Sequence, residues 1–529
     1  MKKVIALACL SMLPMSYAAA EGYQVNAQST KQAGMGHVGV AMKLGAESMH
    51  FNPAGLVFMD KNVDLSAGIT GVFANGKFTG DDGYVQKTDN KASTPLYVYA
   101  GFKIYDFLAA GISVNTPYGS AINWGRDWKG AHLVQDISLK AFNIQPTVSW
   151  KIMDNLSIGA GLMMEFGNIE LNRALIAPRA MTGLAESMMG QLGPILEAKP
   201  EFRPVVDQLV TEMAKYDEVS AASASLKGDA GIRFGFNVGA MYDINDKFTV
   251  GLSYRSKVKA RVKEGDVRLS YANELGIKGL LEQVNGLVGQ LQASGITIPG
   301  IPEGGINILP LDQATFSAEL PLPDNWNVGL TYKPNDRWIV SGEVQFVGWG
   351  AYNSLVVNFY PASELSDYDI DAPKKYKNSR IYRLGTQFAA TNRLDLRLGA
   401  YFDETPVEDN YLNPETPSMN KLGITAGLSF RPLESLSVDF AFSYVTGFGR
   451  DGSYTDRALE PLLMFYAYRV ITQSNPAHSS SFDIYTAMLK TRPLIWNDHA
   501  QDYLWAEDSA AFLGSAPYCL EITQEGYFH

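Results

Sequence analysis

Leu394-Asp-Leu-Arg-Leu-Gly-Ala-Tyr-Phe402, entered from the turn Thr391-Asn392, is the stretch on which the fold turns. Leu394, Leu396 and Leu398 fall on one side of an extended chain, and Asp395 and Arg397 fall on the other. That period of two is the mark of a strand with two unlike faces. The same alternation recurs in Phe234–Tyr242, Phe248–Tyr254, Asn325–Tyr332 and Leu436–Tyr444. Between such strands stand Tyr105-Asp106, Met153-Asp154-Asn155, Asn245-Asp246, Pro334-Asn335-Asp336 and Leu433-Glu434. Asn and Asp suit tight turns because they tolerate left-handed backbone and bond to their own chain. The opposite connections are long. Short turns at one end and long loops at the other fit a membrane barrel, whose strands put one face to lipid and one to a lumen. Tyr242, Tyr254, Trp326, Tyr332, Trp338, Trp349 and Tyr444 sit near strand ends, where an interfacial girdle would lie.

Composition agrees with this fold without deciding it. The 529 residues are 46% hydrophobic, and no apolar run of about 20 residues follows the N-terminal segment, which rules out helical spans. The mean hydropathy of −0.08 is what alternating faces produce, although a secreted soluble β-protein would share it. Met1-Lys2-Lys3, an apolar stretch to Met15 and Ala18-Ala19-Ala20 read as a cleaved export signal over residues 1–20. The leader carries two lysines and no acid, so its removal takes the net charge from −11 to −13. An acidic chain is a poor partner for nucleic acid. Cys9 and Cys519 are the cysteines, which leaves the processed chain one thiol and no internal disulfide.

Two long connections carry helical periodicity instead. The first, from about 174 to 225, places Met181, Leu184, Met188, Leu192 and Leu196 at spacings of three or four, with a second helix over Val205–Met213. The second, from about 273 to 314, does so with Leu280, Leu281, Val284, Leu287 and Leu291, then breaks at Pro299 and Pro302. These faces either pack on each other or line a hydrophobic capture groove, for which adaptable methionines are suited. The groove reading is carried forward as the expectation, with Met181, Leu184, Met188, Leu192, Leu280, Leu281, Val284 and Leu287 as its lining.

The start of the exported chain narrows the family. Glu21-Gly-Tyr-Gln-Val-Asn-Ala-Gln28, Ala33-Gly-Met-Gly-His-Val-Gly39 and Ala46 to Gly55, which includes Phe51-Asn52-Pro53-Ala54, resemble the N-terminal hatch of the FadL family. Asn115-Thr-Pro-Tyr-Gly119, Leu320 to Trp326, Val347-Gly-Trp349 and Tyr401 to Val407 resemble further blocks of it, in order. The resemblance implies an all-β fold: a transmembrane antiparallel barrel of fourteen strands, plugged by a hatch at 21–61 and running over 62–457. About thirteen strands are countable before Gly449, and an even number requires one more. Residues 458–529 depart from the family pattern and read as a divergent ending, a fused extension or a reading-frame change.

The implied function is monomeric outer-membrane transport of long-chain fatty acids or similar hydrophobic compounds past the lipopolysaccharide layer. Such a chain would need the barrel-insertion machinery, and it would need no cofactor. Phe51, Asn52, Pro53 and Ala54 are the gating candidates. Pro117 and Gly119 are candidates for a strand bend that opens the wall sideways, because Pro cannot donate a ladder bond and Gly weakens pairing. The alternatives are an aromatic-hydrocarbon channel, a surface adhesin or receptor, and a lipid-acting barrel enzyme.

Other signals carry less. Gly34-Met-Gly36-His-Val-Gly39 fits a dinucleotide pattern but lacks its strand–helix setting, so its glycines suit close packing of the hatch. His37, His50, His132, His478, His499 and His529 offer neither metal-ligand spacing nor a convincing triad, so neither catalytic nor metal residues are expected. Arg173, Lys227, Arg233 and Arg383 could each meet a carboxylate, and the sequence does not single one out.

Overall fold

The computed structural model describes residues 22–80, 82–295, 311, 314–366 and 369–453, together with the backbone of 494–497 and 502–505. The proposed export signal and most of the stretch after 453 lie outside the described residues, as do Pro299 and Pro302.

The chain begins with short turns rather than strands: α1 (Thr30–Ala33), a 3-10 turn at Gly45–Glu47, α2 (Ser48–Phe51) and a 3-10 stretch at Pro53–Phe58. Strands follow as β1 (Val63–Ile69), the small hairpin β2 (Lys77–Thr79) and β3 (Val85–Lys87), then β4 (Leu96–Tyr105), β5 (Leu108–Asn123), β6 (Asp136–Met153) and β7 (Leu156–Ile176). Two helices, α3 (Ala180–Ala198) and α4 (Arg203–Ala214), lead into β8 (Ala222–Asn245), β9 (Phe248–Arg255) and β10 (Val258–Tyr271). After α5 (Glu274–Ala293) come β11 (Thr315–Leu322), β12 (Asn325–Asn335), β13 (Trp338–Val347), β14 (Ser354–Tyr360) and β15 (Ile370–Pro373). The wall ends with β16 (Ser379–Thr391), β17 (Leu394–Asp403), β18 (Lys421–Leu433) and β19 (Leu436–Gly447).

Residue registers order the wall as β1-β4-β5-β6-β7-β8-β9-β12-β13-β16-β17-β18-β19, antiparallel throughout. Each of six hairpins turns through two residues only: 106–107, 154–155, 246–247, 336–337, 392–393 and 434–435. Five of them carry the Asn or Asp marked in the sequence, and the sixth is Glu434-Ser435. Among the described residues, β1 pairs only with β4 and β19 only with β18. At the long-loop end a branch runs from the upper part of β8 through β10, β11 and β14 to β15. It continues the wall outward past breaks in the strands and has no counterpart in the sequence reading.

The side-chain distribution is inverted relative to a water-soluble protein. Exposed positions are apolar, with Leu398 61%, Ile424 56% and Phe440 62% exposed, while Arg397, Asp395, Thr425 and Glu343 are buried inside. A sheet that turns leucines outward and charges inward has its apolar solvent on the outside, as a bilayer-embedded barrel does. Aromatic pairs cross the outer face at two levels. Phe248 stacks on Tyr332 with ring centres 4.6 Å apart near the short turns, and Tyr254 meets Trp326 at 4.3 Å farther up. Trp349 does not join this girdle. It is 1% exposed and belongs to an interior aromatic cluster, because β13 ends at Val347 and the chain turns inward. No helix among the described residues is long and apolar enough to cross a membrane.

Leu398→Arg, placed mid-strand on the lipid face, is expected to lower folding stability by about 2–4 kcal/mol. Equilibrium unfolding from lipid vesicles would measure it, with Leu398→Ala as the size control.

Candidate transport site

The hatch lies directly against the barrel wall because the wall has no side chains where the two meet. A Cβ on Gly159 would lie 2.4 Å from the carbonyl carbon of Pro53, and one on Gly239 would lie 2.0 Å from Asn52 Oδ1. A Cβ on Gly251 would come within 2.0 Å of the Val40 oxygen. On the far side, Gly385 and Gly399 face Met35 and Gly36 in the same way. Gly34 meets Gly427 backbone to backbone, and Gly36 takes φ +67°, which favours glycine.

Hydrogen bonds then fix the seated chain. Pro53 biases Asn52 toward extended backbone, and Asn52 has φ −157° and ψ 105°. Its side chain is fully buried: Nδ2 donates to Val40 O at 2.7 Å and to Ala240 O on β8 at 3.0 Å, while Oδ1 accepts from Ala54 N at 3.1 Å. Ser149 and Ser157 both donate to Ala54 O, at 3.0 and 2.9 Å. Gln145 donates to Met49 O at 2.7 Å. Phe51 packs against Gly39, inside the hatch itself. The four gating candidates therefore sit together at the junction with β6, β7 and β8.

One wall carboxylate holds the other side. Glu343 Oε2 accepts from Gly39 N at 2.8 Å and Val40 N at 2.9 Å, and Oε1 accepts from Arg383 at 2.8 Å. Neither Glu343 nor Arg255 was singled out from the sequence, although both lie on the inward parity of alternating strands. His37 lies against the Tyr401 ring, 5.3 Å between centres. Its burial, with the Arg383 charge beside it, lowers its pKa from 6.5 to about 3. His50 is likewise held well below its usual value by burial, then by Arg255 and Arg383. Both rings are thus neutral at physiological pH. His50 Nδ1 acts as an acceptor, approached by Asn115 Nδ2 at 2.9 Å.

Pro117 and Gly119 lie where β5 changes partners. The β4 register stops at Tyr97–Asn115, and the β6 register slips by one residue between Asn115 and Tyr118, which is a bulge. Past that point the N-terminal segment takes over from β4. Val25 N donates to Pro117 O at 2.9 Å, and Gly119 N donates to Tyr23 O at 2.8 Å. Gln28 Nε2 adds a bond to Thr116 O at 2.9 Å. Tyr23 then enters an aromatic cluster in the upper lumen with Tyr118, Trp349 and Tyr352. Its hydroxyl donates to Pro321 O.

The loop helices turn their apolar faces toward one another. Met181, Leu192, Leu280, Val284 and Leu287 are buried in one cluster with Val206, Leu209 and Leu291, and Leu184 and Leu281 pack at its margin. The Met188 side chain lies outside the described residues. Of the basic residues named above, Arg173 and Arg383 are buried, and Lys227 is exposed on the outer face.

Residues 11–469 match the family described as "Outer membrane protein transport protein (OMPP1/FadL/TodX)". The chain belongs to this family. Its place is the bacterial outer membrane. The long-chain fatty acid transport protein of Escherichia coli strain K12 is 23% identical over 451 residues, covering 84% of this chain and 91% of that protein. The 47 kDa outer membrane protein of Pasteurella multocida is 23% identical over 432 residues, covering 81% and 88%. Among solved structures, a Pseudomonas aeruginosa FadL homologue superposes with a TM-score of 0.60 at 19% identity, covering 83% of this chain and 94% of that one. The Pseudomonas putida toluene transporter TodX gives 0.54 at 16%, covering 82% and 95%. These family members and neighbours are named as transporters or outer-membrane proteins, and the OMPP1/FadL/TodX barrel is the fold they share with this chain.

Asn52→Ala removes three hydrogen bonds and takes the partner from the Val40 carbonyl and the Ala54 amide, at about 2–4 kcal/mol for hatch seating. The expected result is a raised single-channel conductance in planar bilayers with barrel insertion retained. Acid should loosen the hatch as well. The folded His37 pKa lies below the unfolded value, so stability is full above pH 6.5 and is lost as pH falls toward about 3. His37→Gln should flatten that slope in hydrogen exchange of the hatch amides.

Proposed function

We propose that this chain carries long-chain fatty acids or similar hydrophobic compounds across the outer membrane, with the hatch as its gate. The observation that carries the reading is the pairing of Tyr23–Val25 with Pro117–Gly119. A segment with few ladder bonds there occupies the place that β4 vacates, at a bulge in the wall. A ligand taken up from outside would pass between the loop helices, which requires the buried faces of α3, α4 and α5 to part. It would then lodge against the aromatic cluster of Tyr23, Tyr118 and Trp349. Withdrawal of residues 22–28 would open the wall beside Pro117 and release the ligand sideways into the hydrocarbon. The sideways route spares an apolar molecule the aqueous periplasm and exploits the lipid as its sink. A monomer that contacts lipopolysaccharide outside and lipid at the wall suffices for this scheme.

Relatives named for long-chain fatty acids favour that substrate. Their likeness to this chain extends over 90% and 91% of their own length. The structural neighbours named as toluene transporters share the fold and give no preference for aromatics here.

The gate is testable by locking it. Gln24 and Tyr118 form an isolated antiparallel bridge, a separation that a disulfide spans. With Cys519 replaced by Ser, Gln24→Cys/Tyr118→Cys should abolish uptake of labelled oleate when oxidised and restore it on reduction. Uptake indifferent to the lock would sink gating by this segment, and uptake of toluene without oleate would move the substrate to aromatics. Val284→Asp, which buries a charge between the helices, should raise the oleate concentration for half-maximal uptake with little change in the maximal rate.

A further inference from the structure

Arg255-Ser-Lys-Val-Lys-Ala-Arg-Val-Lys263 spans the kink at which β9 gives way to β10. Val258 and Val262 are buried in the interior apolar cluster, and Ala260 packs against it. The period of two then sends the residues between them the other way. Lys257, Lys259, Arg261 and Lys263 are all exposed, in one row on the outer face of the wall. Their neighbours below are apolar. Phe234 and Phe236 on β8 are 66% and 49% exposed, and Phe236, Tyr254 and Trp326 form a chain of ring contacts. From Phe248 in the lower girdle to Lys257 the wall climbs about 23 Å, at ~3.3 Å per residue and a tilt of about 40°. The apolar band of a membrane barrel is about 25 Å tall. The row therefore starts where the hydrocarbon ends, and it climbs toward the long loops, the external side of such barrels.

Such a row is out of character with a chain whose net charge is −11. Like charges two residues apart on a strand lie about 7 Å from each other and repel. Among the described residues only Lys259 of the four has an ion-pair partner, Glu319 on β11 at 2.6 Å. That pair is well exposed and offsets little of the repulsion. By contrast Arg380, at the long-loop end of β16, faces Glu404 at 3.9 Å. Acids return only at the top of the row, with Glu264 and Asp266 on β10 and Asp229 on β8. Threonine or glutamine would suit an exposed strand face without the repulsion. The row is thus a charged surface that lacks its counter-charge.

We propose that the outer face of β8 and β10 is a docking site for lipopolysaccharide, with its phosphates held by Lys257, Arg261 and Lys263 and its acyl chains laid on Ile232, Phe234 and Phe236. Charge complementarity and height select this occupant. The row rises about 15 Å from the edge of the hydrocarbon, at ~3.3 Å per residue and a tilt of about 40°. That is taller than one phosphodiester headgroup and suits a lipid whose anionic groups are spread over a saccharide above several acyl chains. Arg261 can fork two donors onto one phosphate, and the lysines supply point charges on either side of it. Ile232 and Phe234, 59% and 66% exposed, offer the acyl chains a broad apolar surface directly below. The assignment rests on the outer-membrane place of the chain and is independent of its cargo.

Native mass spectrometry of the purified detergent-solubilised chain, with the phosphorylated glycolipid anchor of lipopolysaccharide (lipid A) or its dephosphorylated form added, tests the site. The native chain is expected to prefer the phosphorylated form at least about tenfold, since several cations each contribute at an anionic surface. Lys257→Gln/Arg261→Gln/Lys263→Gln should erase that preference. Lys61→Gln/Lys151→Gln/Lys247→Gln, which removes as many cations at the short-turn end, should leave it. Glu319→Gln frees Lys259 and should tighten binding of the phosphorylated lipid. Exposed substitutions of this kind seldom disturb folding, which heat-dependent gel mobility checks. A native chain without the preference overturns the assignment, as does a preference that survives in the folded row variant or is lost equally in the short-turn variant. Glu319→Gln without a gain overturns it whether or not the row variant folds. Displacement of lipid A by an equal concentration of phosphatidylglycerol overturns lipopolysaccharide as the occupant. Oleate uptake is measured separately, so the transport reading survives each of these failures.

Discussion

Hatch backbone lies directly on wall backbone, and everything else inside this barrel is arranged around that contact. A single methyl at Gly159, Gly239 or Gly251 would occupy space already filled by Pro53, Asn52 or Val40. Close approach brings hatch carbonyls and amides within reach of short wall side chains such as Ser149 and Ser157, and of the Glu343 carboxylate. Buried peptide groups of the plug such as Gly39 N, Val40 N, Met49 O and Ala54 O thereby find partners, where an unmatched one is expensive. The constraint also explains the division of the hatch. Residues 33–58 are clasped on several sides, whereas residues 22–28 are held chiefly along one edge of β5.

Two solvents shape the wall. Lipid selects the outward leucines and phenylalanines, and the plugged lumen selects inward polar groups that pair with the hatch or with each other. Many of the charges inside are matched in pairs. Lys374 and Glu415 pair in a buried bridge, Arg431 clamps Asp395, and Arg383 is shared between Glu343 and the gate segment. Arg255 stands apart from these matched pairs, with contacts of 3.3 Å to Gln145, 3.4 Å to His50 Nδ1 and 3.8 Å to Glu165.

Local chemistry was legible in the sequence, and distant chemistry was not. Asn392, Asp246 and Asp154 announce two-residue turns because turn geometry depends on adjacent residues alone. The period of two in β17 and β19 likewise declares its faces without reference to the rest of the chain. Helical spacing located α3, α4 and α5, yet it could not say whether their apolar faces meet each other or a ligand. Trp349 looked like a girdle residue by its position after a strand, and the inward turn that buries it depends on contacts with Tyr23 and Tyr376. The wall glycines were invisible as a set, since each makes sense only opposite a hatch residue far away in sequence. Arg255 was hidden for the same reason: its environment is assembled from Gln145, His50 and Glu165.

Gly36 N bonds to Thr425 Oγ1 across 389 positions of sequence, and Glu343 reaches back 304 to Gly39. The seat of the hatch is therefore complete only once β13 and β18 have joined the wall. Such far-reaching contacts make assembly slow, because a long loop of chain must be closed before any of them repays its entropy. The earliest part of the chain thus acts as a mandrel for the latest. A side chain at Gly34, which meets Gly427 backbone to backbone, would then be felt in the yield of inserted barrels as well as in the tightness of the finished gate.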